Sequence, residues 1–97
     1  MSTQEIKNKI RQIGKKYDLK SIFLFGSQAR GTANKNSDID LHIYSKKPIS
    51  LIKYSNILAD CRDVLGADVD LIINSNYDKD FINNIAKDEV LLYDTSI

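Results

Sequence analysis

The chain has one cysteine, Cys61, one histidine, His42, and no apolar run approaching the length of a membrane span. A lone thiol cannot close an internal disulfide, and it suits a reducing, cytoplasmic setting. One cysteine and one histidine also make a structural zinc site implausible, because such sites draw four ligands mainly from those residues. A bilayer crossing needs about 20 apolar residues in succession, so no membrane association is expected. The opening Met1-Ser2-Thr3-Gln4-Glu5 is polar and acidic and lacks the apolar core of a secretory leader. An excess of charge of one sign is missing as well. The formal net charge is +1, which gives no strong drive toward long nucleic acid. What remains is the composition of a soluble globular protein, 42% hydrophobic and 28% charged. Its 97 residues can hold one core but not a catalytic domain plus a separate substrate domain. One domain over residues 1–97 is the expected organisation.

Periodicity places the elements. Ser2 and Glu5 have the spacing of a capping box, and Ile6, Ile10, Ile13 and Tyr17 follow at helical intervals. This predicts an amphipathic first helix to about Tyr17, slightly weakened by Gly14. Ser21-Ile22-Phe23-Leu24-Phe25 reads as a buried strand stopped by Gly26. A brief helix over 27–31 and a polar loop over 31–37 are expected next. Residues 38–44 alternate, with Asp38, Asp40, His42 and Tyr44 on one side and Ile39, Leu41 and Ile43 on the other.

Pro48 suggests the start of a helix running to about Leu65, with Leu51, Ile52, Ile57, Leu58, Cys61 and Leu65 as its buried stripe. Gly66 ends it. Residues 67–73 form a third strand, 74–76 a turn, 78–87 a helix capped by Asp78, and 89–93 a short final strand. The third strand puts Val69, Leu71 and Ile73 on one face, which leaves Asp70 on the other. If the second and third strands are neighbours over the same helices, Asp38, Asp40 and Asp70 share the opposite, open face. A slip of one residue would push the charges into the core, so the register is well specified.

These residue types fit nucleotide transfer. Two carboxylates a few ångströms apart repel by about 4 kcal/mol at an effective dielectric near 20, a cost that a divalent cation removes. Mg²⁺ prefers oxygen ligands and is held by one or two carboxylates together with substrate phosphates. Asp38 and Asp40 are therefore candidate metal ligands. Asp70 is a third ligand or a general base for the acceptor hydroxyl. Gly26 lets backbone approach phosphate, and Ser27 offers amide and hydroxyl donors at a helix start. Arg30 is a candidate phosphate contact or a surface ion pair. The turn lacks the spacing of a P-loop or a dinucleotide fingerprint, and His42 stands where an EF-hand needs Asp or Asn. His42 is expected as a partly exposed strand residue, and Cys61 as a core residue of its helix.

The stretch Gly26-Ser27-Gln28-Ala29-Arg30-Gly31, followed by Ser37-Asp38-Ile39-Asp40-Leu41, resembles the signature of the DNA polymerase β-type nucleotidyltransferase superfamily. The short length resembles its minimal nucleotidyltransferases, and the likeness spans nearly the whole chain in order of elements. The resemblance implies an α/β (α+β) fold, a small mixed sheet with helices packed on one face. It also carries the metal and phosphate roles over to Asp38, Asp40, Asp70, Gly26 and Ser27. Minimal members are often encoded beside a HEPN-domain ribonuclease toxin and are similar to antitoxins that add AMP from ATP to one of its tyrosines. The resemblance thus implies a Mg²⁺-dependent, cytoplasmic protein adenylyltransferase that works as an oligomer or in a hetero-complex. A non-catalytic antitoxin that only masks its partner is the alternative of a different class. A subunit acting on a small hydroxyl compound is the alternative enzyme.

Overall fold

A computed structural model describes residues 2–25, 39–74 and 89–95. Helix α1 (Thr3–Lys16) begins where the Ser2 Oγ accepts the Glu5 N–H at 3.2 Å. Its inward face carries Ile6, Ile10 and Ile13 of the expected stripe together with Gly14, while Tyr17, the last residue of that stripe, is the half-buried C-cap. Strand β1 (Ser21–Phe25), strand β2 (Ile39–Tyr44), helix α2 (Leu51–Leu65), strand β3 (Val69–Asn74) and strand β4 (Val90–Asp94) follow. Asn74, expected in a turn, is the last residue of β3. The helices expected over 27–31 and 78–87, and the loop over 31–37, lie outside the described residues.

The sheet order is β3-β2-β1-β4. β1 runs antiparallel to both neighbours, while β2 and β3 are parallel and joined through α2. A parallel pair needs such a crossover, and the helix covers one sheet face as it returns. Ile22, Leu24, Ile39, Leu41, Ile43, Val69 and Leu71 meet Ile6, Ile10, Ile13, Ile57, Cys61 and Leu65 in one core. The fold is therefore the mixed sheet with helices on one face that the family resemblance implied.

The start of α2 differs from expectation. Its N-cap is Ser50, whose Oγ accepts the Lys53 N–H at 3.1 Å, so Pro48 lies outside the helix. Leu51 and Ile52 are 80% and 76% exposed rather than buried. They precede Ile57 by six and five residues, which places them about 120° and 140° around the helix from it. The buried line is instead Ile57, Cys61 and Leu65, with Tyr54 half-buried one turn earlier. Serine at Leu51 or at Ile52 is accordingly expected to change unfolding free energy by less than about 0.5 kcal/mol in urea titration. Gly66 closes the helix as expected: its φ is +62° and its N–H donates to the Arg62 carbonyl at 2.8 Å.

Gly14 does more than weaken α1. A methyl group there would stand 2.4 Å from Cδ2 and 2.7 Å from Cγ of the buried Tyr93 ring. Alanine favours a helix interior by roughly 0.5–1 kcal/mol, but overpacking costs about 1–3 kcal/mol. Gly14→Ala is therefore expected to lower stability, by about 1–2 kcal/mol in chemical denaturation.

The sheet face away from the helices is not uniformly open. His42 and Tyr44 are only 5% and 1% exposed, and Phe23 packs edge-on to Tyr44 with ring centroids 5.8 Å apart. An aromatic and polar layer thus occupies the middle of that face. Solvent reaches the Asp70 end, where Asp40 is half-buried and Asp70 exposed.

Candidate active site

Asp40 and Asp70 are register partners across the parallel β2–β3 pair. Partner residues of neighbouring strands lie about 4.8 Å apart along the hydrogen-bonding direction and point to the same face. Their flanking residues fix which face. Ile39, Leu41, Val69 and Leu71 are all buried in the core beneath the helices, so the two carboxylates project from the opposite side. Asp70 therefore does not point into the helices. The same row continues to Phe25, the antiparallel partner of Asp40. Beyond it, Glu89 stands one residue before Val90, which pairs with Leu24.

Two adjacent carboxylates on a solvent-reached face repel each other and match the donor set that hard divalent cations take. Among the described residues no group of three or more metal-ligating side chains gathers. Asp38, the third expected acid, lies outside the described residues, as do Gly26, Ser27 and Arg30. A cavity of about 170 Å³ lined by Tyr17, Lys46, Lys47 and Lys53, among others, is at the other end of β2, beyond Tyr44.

His42 corrects its expectation. Instead of being partly exposed it is buried, and both ring nitrogens have partners. Nδ1 lies 3.2 Å from Glu89 Oε1, and Nε2 lies 3.0 Å from Asn74 Nδ2. Burial raises the Glu89 carboxyl pKa, and its bond to His42 opposes that rise. Neither Glu89 nor Asn74 stood out in the sequence. The one available signal was the shared parity of His42 with Asp40. Cys61 is a core residue as expected, and burial pushes its thiol up to about 12, which leaves it inert as a nucleophile.

Comparison with known proteins accords with this geometry. Residues 8–97 match the family model described as polymerase beta nucleotidyltransferase. A protein of Methanocaldococcus jannaschii, provisionally named a protein adenylyltransferase, is 36% identical over 89 residues covering 91% of each chain. A chain from a toxin–antitoxin complex crystallised with AMP-PNP superposes with a TM-score of 0.74. That chain is 26% identical, and the match covers 92% of this chain and 73% of the other. The fold also recurs, at a TM-score of 0.68 and 22% identity, in a complex of a tri-AMPylated Shewanella oneidensis HEPN toxin with a minimal nucleotidyltransferase antitoxin. That match covers 96% of this chain and 73% of the other. A match over nearly the whole length, on a sheet that sets two aspartates side by side, has one conclusion: this chain belongs to the polymerase beta nucleotidyltransferase family.

Proposed function

We propose that this protein is a Mg²⁺-dependent protein adenylyltransferase that moves AMP from ATP to a tyrosine hydroxyl of a HEPN-domain toxin and acts as its antitoxin. The observation that carries the reading is the in-register pairing of Asp40 with Asp70 on the face away from the helices. Similarity to named adenylyltransferases and to toxin–antitoxin complexes supports the acceptor class.

In the reaction the acceptor oxygen attacks the α-phosphorus of ATP. The bond from that phosphorus to the bridging oxygen breaks, and pyrophosphate leaves. The hydroxyl proton passes to a carboxylate, and the exposure of Asp70 on β3 supports giving it that role. Asp38, Asp40 and Asp70 would hold the divalent ion. Such an ion supplies charge stabilisation for the triphosphate and lowers the pKa of the attacking hydroxyl. Gly26 and Ser27 would hold the phosphates through backbone amides, and Arg30 would add a charged contact.

The test is incubation of the protein and a HEPN-domain partner with Mg²⁺ and each nucleoside triphosphate in turn, followed by intact-mass measurement of both chains. A gain of one or more AMP units on the partner, with ATP preferred, is the expected result. Neutralisation of the partner without any added mass, retained in a variant carrying both Asp38→Asn and Asp40→Asn, would replace catalysis by simple masking.

A further inference from the structure

The buried pair His42 and Glu89 is used by no step above, yet it lies on the face that carries the carboxylates. His42 follows Asp40 by two residues on β2 and so shares its side of the sheet. Two of its partners stand at the ends of strands: Asn74 closes β3, and Glu89 precedes β4. β3 and β4 are opposite edges of the described sheet. One imidazole thus touches residues at both of those edges.

β3 has most to gain from this grip. It is an edge strand whose sheet neighbour is β2, and it carries Asp70. On its core side Val69 and Leu71 are buried, and the Tyr54 hydroxyl donates to the Leu71 carbonyl at 2.8 Å. On the carboxylate side Asp70 is exposed and Ile72 is 48% exposed, so packing there is thin. The contact from Asn74 to His42 lies on that thin side. We infer that His42 is a positioning residue for the transfer site: by holding Asn74 on one ring nitrogen and Glu89 on the other, it ties β3 and the approach to β4 onto β2 and keeps Asp70 in line with Asp40. The inference rests on the reading of Asp40 and Asp70 as the catalytic pair.

A proton relay through the His42–Glu89 pair is the competing account. A base must have a nitrogen within hydrogen-bond reach of the proton it removes. Here the side chains of His42 and Glu89 are each 6% exposed, and each imidazole nitrogen already faces a protein group. With Nδ1 facing a carboxylate and Nε2 an amide, both ring nitrogens are engaged within the fold. It is the geometry of a clasp.

The test compares His42→Leu, His42→Gln, Asn74→Ala and Glu89→Gln in the full chain, by amide hydrogen exchange and by steady-state transfer. His42→Leu is expected to speed exchange in β3 about tenfold or more relative to α1. It should also lower kcat about tenfold or more, with KM for ATP nearly unchanged, because misplacement by an ångström is costly to chemistry. Asn74→Ala, at a half-buried position that ends β3, should reproduce both effects if His42→Leu fails to fold. His42→Gln, which carries a donor and an acceptor on one carbon, should recover most of both. Glu89→Gln keeps an acceptor for Nδ1 and should leave both close to the unsubstituted protein. Unchanged β3 exchange in folded His42→Leu and Asn74→Ala overturns the clasp. A loss in Glu89→Gln as large as that in His42→Leu overturns it in favour of proton transfer. Should the protein transfer no nucleotide at all, the exchange measurement still decides the clasp, and only the catalytic reading falls.

Discussion

Asp40→Asn is expected to reduce nucleotide transfer by about 10²–10³-fold or more, the scale seen when a preorganised electrostatic group is removed from a reaction centre. Asparagine keeps the size of the side chain and one oxygen but loses the charge that faces cation and phosphates. Asp40 and Asp70 are register partners, so the substitution removes one of two like charges on adjacent strands. A protein that still melts cooperatively while its activity collapses has lost chemistry rather than structure. Transfer assays and calorimetry on the same preparation read both quantities. If Asp40→Asn melts lower and still transfers, the pair is structural and the assignment fails.

The second large effect falls on the core under the site. Leu24, Leu41 and Leu71 are register partners on three adjacent strands, and Leu41 is the middle one, fully buried. Leu41→Ala is expected to cost about 2–5 kcal/mol, the range for deleting a buried leucine where neighbours cannot close the cavity. Domains of this size are stable by only about 5–15 kcal/mol, so a large share of the total is at stake. Leu41 also follows Asp40 directly, and loss of its packing frees the backbone that aims the carboxylate. Urea unfolding should show the midpoint falling, and transfer should fall further than in Leu71→Ala, where β3 is an edge strand. An unfolding midpoint close to that of the unsubstituted protein would mean that the sheet is not packed as described.

Much of this arrangement is legible in the chain because alternation is a strong constraint. Ile39, Leu41 and Ile43 against Asp40, and Val69 and Leu71 against Asp70, leave each strand one way to face a core. The register Asp40 to Asp70 then follows once β2 and β3 are neighbours. The start of α2 was less legible: Pro48 and Ser50 both signal a helix opening, and the apolar Leu51 and Ile52 suggest burial although their helical phase sets them off the line of Ile57, Cys61 and Leu65. His42 was illegible for another reason. Its partners lie 32 and 47 residues away, and a pairing of that range leaves no local pattern. Gly14 reads as a small helical defect until the Tyr93 ring is seen against it.

The central claim is that Asp40 and Asp70, thirty positions apart, act as one unit, and a double-mutant cycle on transfer tests it most directly. Residues that act together are strongly non-additive, so one loss leaves little for the second to remove. The account predicts that Asp40→Asn, Asp70→Asn and the two combined all fall to nearly the same residual rate. Losses that multiply, or an Asp70→Asn protein that transfers at the full rate, would contradict it.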